Sequence, residues 1–242
     1  MPASGQHRVE IAELRRRAAD ERRRADRAAA LAEAYAARSA EVPERLRLVF
    51  ARAAELHYRM QARQLAAARL HETYAARIEQ QQAVQPWPAP PRFMAVVAET
   101  LGVPGAAAAL YDQRSHTPVL VSTSDATAQA AYDLESMAGE GPATHLMAEG
   151  RPLRAAGAEL AARWPRYGPA AVKLGIRAVT AVPLQVPAAR LGVLCCYDAR
   201  PTAKDDIMAA AVTLAGALTP MLLRAAPAAS LDALIAQPAM VP

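Results

Sequence analysis

Between Arg8 and Gln82 the chain contains no glycine and a single proline, Pro43. No other feature limits the fold as strongly. The run is rich in Ala, Arg, Glu, Gln and Leu. These are the strongest helix formers, because straight side chains lose little rotamer freedom on a helix and alanine has none to lose. Pro43 fits the first turn of a second helix, or a kink in one long helix. The spacing predicts helices over about Arg8 to Ala40 and Pro43 to Gln82, roughly 50 Å and 60 Å long at 1.5 Å per residue. Such lengths exceed those of ordinary globular helices and suggest a coiled coil or a helical hairpin.

The second segment also carries a repeat. Ala53/Ala67, Ala54/Ala68, Leu56/Leu70, His57/His71, Ala62/Ala76 and Arg63/Arg77 are identical pairs 14 residues apart. Two heptads return matched side chains to one face of a supercoiled helix. Leu46, Val49, Ala53, Leu56, Met60, Ala67, Leu70 and Tyr74 follow the 3–4 spacing, with Arg63 interrupting the seam. The first segment has a thinner stripe of Ile11, Leu14, Ala18, Ala25, Ala28, Ala32 and Tyr35. Alanines allow close approach but bury little area each, so these helices are expected to need a partner: each other or a second subunit.

Four prolines within residues 86–91, in "QPWPAPPRF", stop any helix and stiffen the backbone. The domain boundary is placed there. Beyond it the pattern alternates. "RFMAVVAETLG" reads as a helix ended by Gly102, "AAAALYD" and "PVLVSTS" as a hairpin around a polar turn, and "DATAQAAYDLESMA" as a helix capped by Asp125. "AGAELAARWPRYGPAAVKLG" gives two short helices split at Pro165. "IRAVTAVPLQV" and "ARLGVLCCYDA" form a second, central hairpin, and "AKDDIMAAAVTLAGALTPMLLR" a last amphipathic helix. A loose tail follows over Ala225 to Pro242, with one helical turn near Leu231 to Ile235. Hairpins with helices packed on them form an α+β layer architecture, not a doubly wound sheet. The expected organisation is therefore a helical region over 1–85, a linker over 86–91, an α+β domain over 92–224 and a tail over 225–242.

Charge is unevenly placed. Met1 to Gln85 holds 16 Arg against 11 Asp and Glu, whereas Pro86 to Pro242 balances 12 against 12. The basic clusters Arg15–Arg17 and Arg22–Arg24 are interleaved with Glu10, Glu13, Asp20, Glu21 and Asp26. No aromatic residue precedes Tyr35 that could stack on a base. The pattern fits a solvated, ion-paired face better than a nucleic-acid interface. The two cysteines, Cys195 and Cys196, are adjacent and would bridge only with strain. No window of about 18 uninterrupted apolar residues and no signal-peptide core stand out. A cytoplasmic protein with no membrane span is expected.

The residues from Gly139 onward, "GEGPATHLMAEGRPL" and then "ELAARWPRYGPAAVKLGIRAVTAVPLQVPAARLGVLCCYDARP", resemble the GAF domains of high-GC bacteria, in particular those of GAF–ANTAR regulators. Gly139 to Pro142, Gly150 to Leu153, Trp164–Pro165, Gly175 to Ala178, Pro183–Leu184 and Leu191 to Leu194 carry the resemblance, over roughly Arg92 to Arg224. It implies a five- or six-stranded antiparallel sheet with helices on both sides, a small-molecule pocket in some members and dimerisation in many. Ala143 stands where the family often has cysteine, and the Asn-Lys-X-Asp-Glu pattern of cyclic-nucleotide-binding members is absent. The RNA-binding ANTAR helices are also absent from the sequence after the last helix. By position in the domain, the resemblance places Met137, Thr144, His145, Met147, Trp164 and Tyr167 at a ligand pocket under the helices after Ser124 and Gly141.

The "GEGP" turn could cradle an anion at a helix N-terminus. It lacks a Gly-Lys-Ser/Thr motif and a preceding strand, and Pro142 removes one donor, so it reads as a structural turn. Cys195 and Cys196, successive residues of one strand, should face opposite sides as buried filler. No catalytic triad, carboxylate pair or metal set is expected, and no cofactor is identified. The function expected is a non-enzymatic sensory or regulatory GAF module that binds a small molecule and signals through its helices, as a homodimer through residues 1–85 and the GAF helices, with an unidentified small molecule or partner protein. The alternatives are a ligand-free scaffold for dimerisation or partner docking, and a nucleic-acid-binding regulator using the basic N-terminal helices.

Overall fold

The computed structural model describes residues 3–84, 92–187, 189–201 and 207–226. The Pro-rich linker and the helical turn expected near Leu231 to Ile235 lie outside the described residues. The chain divides into two units, Met1–Pro90 and Pro91–Pro242.

The first unit is a helical hairpin. Helices α1 (Ala3–Glu41) and α2 (Glu44–Val84) pack antiparallel and break at Pro43, whose carbonyl accepts the Leu46 N–H at 2.8 Å. Tyr35 packs on Phe50 and stacks on His57, with centroids 6.2 and 5.3 Å apart. Further along, Arg15 pairs with Glu79 at 2.7 Å and Arg22 with Glu72. The alternative of one kinked helix is thereby excluded, and within one chain the two helices partner each other. All six arginines of the two basic clusters have a carboxylate partner, four of them on α1 itself: Arg16 and Arg17 with Glu13, Arg23 with Asp20 and Arg24 with Glu21. These pairs are exposed, so each contributes little to stability.

The stripe read on α1 is the buried one: Ile11, Leu14, Ala18, Ala25, Ala28 and Ala32 all face inward. The seam read on α2 needs correction. Ala67 and Leu70 are buried, but Leu46, Val49, Leu56 and Met60 are exposed. α2 instead turns Ala54, Ala68, His71, Ala75 and Ile78 inward. The alanine ridge of α1 admits small and polar neighbours at close range. The larger apolar residues, one position away and so about 100° round the helix, are left outside.

The second unit is a five-stranded antiparallel sheet in the order β2-β1-β5-β4-β3. Its strands are β1 (Gly105–Tyr111), β2 (Pro118–Thr123), β3 (Leu153–Ala156), β4 (Ala178–Val186) and β5 (Ala189–Asp198). The β4–β5 hairpin lies at the centre, as its apolar sequence predicts for strands covered on both faces. Pro183 pairs with Val193 and lies beyond the reach of β3, so its missing N–H leaves no ladder bond unmade. At the β1–β2 turn the Asp112 carboxylate accepts the Arg114 and Ser115 N–H groups at 2.7 and 3.0 Å.

On one face of the sheet lie α4 (Ala126–Ala138), α5 (Pro142–Glu149), α6 (Ala158–Arg163) and α7 (Tyr167–Lys173). Helix α3 (Phe93–Leu101) packs on β1, and α8 (Ile207–Ala225) on β4. α4 begins where predicted: Asp125 accepts the Thr127 and Ala128 N–H groups at 2.8 and 2.9 Å. Cys195 and Cys196 face opposite sides, and both are buried, free thiols.

α8 has no uninterrupted apolar run of about 18 residues, since Thr213 and Thr219 fall within it. By length and composition it is apolar enough to cross a membrane, with a mean hydropathy of 1.6. Its Ala211, Leu214, Leu218 and Leu222 are nevertheless buried and it packs on β4, as the core helix of a layered domain does.

Gly192 marks the tightest point of the sheet. A Cβ there would stand 1.9 Å from the Ala109 carbonyl oxygen of β1. Gly192→Ala is therefore expected to push two central strands apart and cost about 3 kcal/mol or more in urea unfolding.

Candidate functional site

The turn between α4 and α5 builds the site. α4 closes at Gly139, left-handed with φ 65°, and Glu140 then points away toward α7. The Glu140 carboxylate accepts the Arg166 and Tyr167 N–H groups at 2.5 and 3.2 Å, so it caps α7. These bonds, the Arg166 N–H first, hold its carboxyl below the usual range.

Glu135, on the buried face of α4 with Ala128 and Ala131, caps α5 in the same manner. Its Oε1 accepts the Thr144 N–H at 2.6 Å. Gly141 has to be glycine here: its φ is 155°, and a Cβ would meet the Glu135 side chain at 2.6 Å. The helix N-termini that might have attracted an external anion are thus occupied by the chain's own carboxylates. The turn is structural, as expected, and the sequence reading missed the residue beneath it.

Glu135 is only 4% exposed. Burial pushes its carboxyl up to about 7, against the downward pull of the Thr144 and Ala143 N–H groups. Tyr111, Tyr132, Tyr167, Tyr197 and the Cys195 thiol all feel its charge or one another's. The Tyr111 and Tyr132 phenols pair with each other. The Tyr197 hydroxyl has the Cys195 thiol beside it, a weak partner at best. Among the described residues of this unit, four buried polar side-chain atoms find no hydrogen bond: Glu135 Oε2, Trp164 Nε1 and the Tyr167 and Tyr197 hydroxyls. All belong to or border one apolar cluster between the sheet and α4, α5 and α7, walled largely by alanine. Each such atom costs about 1–3 kcal/mol unless something meets it.

Two openings flank this cluster. A shallow groove of about 250 Å³ runs over the turn, lined by Glu140, Gly141, Thr144, His145, Glu149 and Trp164. His145 Nε2 lies 3.2 Å from Glu149, and its ring meets Trp164 edge-on at 6.0 Å. Tyr167 stands edge-on behind Trp164, also at 6.0 Å, and the Arg163 guanidinium lies 5.9 Å over the indole. A larger pocket of about 460 Å³ opens at the other end of α4, between Asp125, Thr127, Leu174, Ile176 and Tyr197. Its two carboxylates are engaged: Asp125 caps α4, and Asp198 is held by the Arg200 guanidinium at 3.0 and 3.1 Å. Tyr197 joins this pocket to the polar cluster.

Of the six residues placed at a pocket from the sequence, Thr144, His145 and Trp164 meet in the groove, and Tyr167 is fully buried behind them. Met147 is half-buried against the inner cluster, and its carbonyl accepts from Arg190. Met137 is not brought to the site; it is 77% exposed on α4. Glu135, Tyr111, Tyr132 and Tyr197 were not foreseen. A signal existed for Glu135: it continues the Ala128–Ala131 stripe, so a carboxylate falls on the helix's apolar face.

The GAF domain family model matches residues 91–219. The chain belongs to the GAF family. No curated protein matches it. Among solved structures, a domain of a two-component sensor histidine kinase protein from Sinorhizobium meliloti 1021 is similar over 63% of this chain and 90% of that chain. The sequences are 20% identical and the TM-score is 0.41.

Chemically, this GAF domain is poor in nucleophiles. Burial pushes the Cys196 thiol up to about 12 and the Cys195 thiol well up, so both are protonated at neutral pH. Among the described residues no group of His, Cys, Asp and Glu could hold a metal ion. What the site offers is hydrogen bonding inside an apolar layer.

Two outcomes are expected. Neither cysteine should react with a thiol reagent until the protein unfolds. Glu135 should also give stability a measurable pH dependence. Its folded value of about 7 exceeds the reference 4.5, so the folded state binds the proton more tightly. Its contribution is then greatest below about pH 4.5, falls as pH rises to about 7, and is constant above. The fall is about 3 kcal/mol at 1.36 kcal/mol per unit. Glu135→Gln should lack this slope, read as the wild-type minus variant difference in urea unfolding from pH 4.5 to 7.5.

Proposed function

We propose that this GAF domain is a non-enzymatic sensory module that binds a small hydrogen-bonding molecule against its α4–α5–α7 face and signals through its helices. One observation carries the proposal: four buried polar atoms without partners converge in a single alanine-walled cluster that two surface openings adjoin. A domain that only filled its core would have no physical reason to keep a carboxylate, two phenols and an indole N–H unsatisfied there. A ligand with both donors and acceptors would offset that cost, which makes it a binding free energy.

The charge inside the cluster narrows the ligand. Glu135 is its ionisable carboxylate, and no basic side chain is among the groups that act on it. A neutral or cationic molecule is favoured over a phosphate or carboxylate, which would meet like charge in a low-dielectric layer. The nucleic-acid alternative is not supported, since the arginines of the basic clusters are already paired.

Ligand binding would bear on α4, α5 and α7, whose N-termini are all held by carboxylates at or beside the site. The test is a thermal-shift screen of the full chain against neutral, cationic and anionic metabolites. A ligand at about 100 times its Kd adds about 2.7 kcal/mol, or roughly 5–10 °C in Tm for a chain of this size. Neutral or cationic hits should be weakened in Glu135→Gln and Tyr167→Phe. If no compound shifts Tm, or hits are unaffected by both substitutions, the ligand-free scaffold takes its place.

A further inference from the structure

The most anomalous surface of the molecule is the first half of α2. We infer that its 46–60 face is covered in solution by the same face of a second copy of this chain, running parallel to the first.

Four observations converge on this. Leu46, Val49, Ala53, Leu56 and Met60 recur at intervals of 3, 4, 3 and 4 residues, a 3.5-residue repeat that keeps one stripe against a partner helix. The hairpin does not use this stripe. The residues α2 shields are Ala54, His57, Gln61, Gln64, Ala68, His71 and Ala75, one position on and again in heptad spacing. Over residues 46–60, α2 therefore carries two heptad faces, and only the smaller and more polar one is covered; the burial of Ala67, Leu70 and Ile78 begins beyond this segment.

The 14-residue repeat makes the gap explicit. Ala54 and Ala68 are both buried, and His57 and His71 both lie on the shielded face. Leu56 and Leu70 are also repeat mates, yet Leu70 is 0% exposed and Leu56 is 52% exposed. The same residue in the same frame is covered once and bare once. Leu46, Val49 and Met60 are 41, 61 and 39% exposed along the same line.

Area and charge select the occupant. The seam residues offer on the order of 400 Å² of apolar surface per copy. The arginine stems beside them bring this toward the ~800 Å² per partner of a standard interface. A stripe meeting its own copy about a two-fold axis needs no second kind of molecule. Arg45, Arg52 and Arg59 flank the stripe at seven-residue intervals. In an antiparallel self-pair they would face one another. In a parallel pair the arginines of the two copies lie on opposite flanks of the seam, so parallel pairing avoids the repulsion. Ala53 at the middle lets the two backbones approach. The product is a four-helix bundle with the two α2 helices inside.

The test is the mass of the full chain at micromolar concentration by light scattering, with far-UV circular dichroism to confirm helicity. The wild type should weigh twice 25.7 kDa. The double variant Leu56→Glu/Met60→Glu should be a fully helical monomer, because both residues are exposed within one chain. Leu48→Glu replaces an equally bare leucine off the stripe and should stay dimeric. Met60→Cys should cross-link to itself under mild oxidation, which only the parallel register allows. A monomeric wild type overturns the inference, even if an acidic helix from another protein later proves to bind there. So does a double variant that remains dimeric, a Leu48→Glu monomer, or a Met60→Cys dimer that does not cross-link.

Discussion

Two carboxylates at the end of α4 organise the sheet domain. Glu135 holds the N-terminus of α5, and Glu140 holds that of α7. The first turns of both helices would otherwise present unpaired N–H groups inside a layered core. A short helix of 7 or 8 residues has little propensity to form alone, so its position depends on such tethers. Gly139 and Gly141 let the chain reverse tightly enough to aim one carboxylate inward and the other outward. The face of the sheet that α4, α5 and α7 cover, and therefore the site, follows from this turn.

The inward carboxylate has a consequence beyond capping. It carries a charge into a cluster made otherwise of alanine, leucine, valine and aromatic rings. Alanines on β1, β3, β4, α4, α5 and α7 leave room in that layer for the rings of Tyr111, Tyr132, Tyr167 and Tyr197, whose hydroxyls gather near Glu135. Burial then acts twice: it raises the carboxyl to about 7, and it leaves polar atoms that protein groups alone do not satisfy.

The hairpin shows a similar separation of requirements. Where α1 meets the first half of α2 the contact is made largely from alanine, histidine and glutamine; Ile11, Leu14, Ala75 and Ile78 form an apolar cluster at the other end of the hairpin. In that first half the larger apolar residues Leu46, Val49, Leu56 and Met60 lie on a different face. Within one chain the stripe of Leu46, Val49, Leu56 and Met60 therefore stays exposed, and the hairpin gains nothing from its burial.

Much of this was legible along the chain. Glycine-free helix-forming composition is a local property, so the two long helices and the break at Pro43 could be read directly. So could the strand hairpins, the Asp125 cap and the opposed cysteines, since each depends on neighbours in sequence. The ordered motifs from Gly139 to Leu194 carried the family, and with it Thr144, His145, Trp164 and Tyr167 as neighbours. Two things depended on tertiary packing. Which of the two heptad faces of α2 meets α1 is a choice between stripes one residue apart, settled by the shape of the alanine ridge opposite. The position of Glu135 beneath Gly141, and the meeting of Tyr111, Tyr132, Tyr167 and Tyr197 around it, join residues 3 to 62 positions away through strand register and helix layering. Periodicity assigned Glu135 to a face of α4; only burial turned that face's carboxylate into the centre of the site.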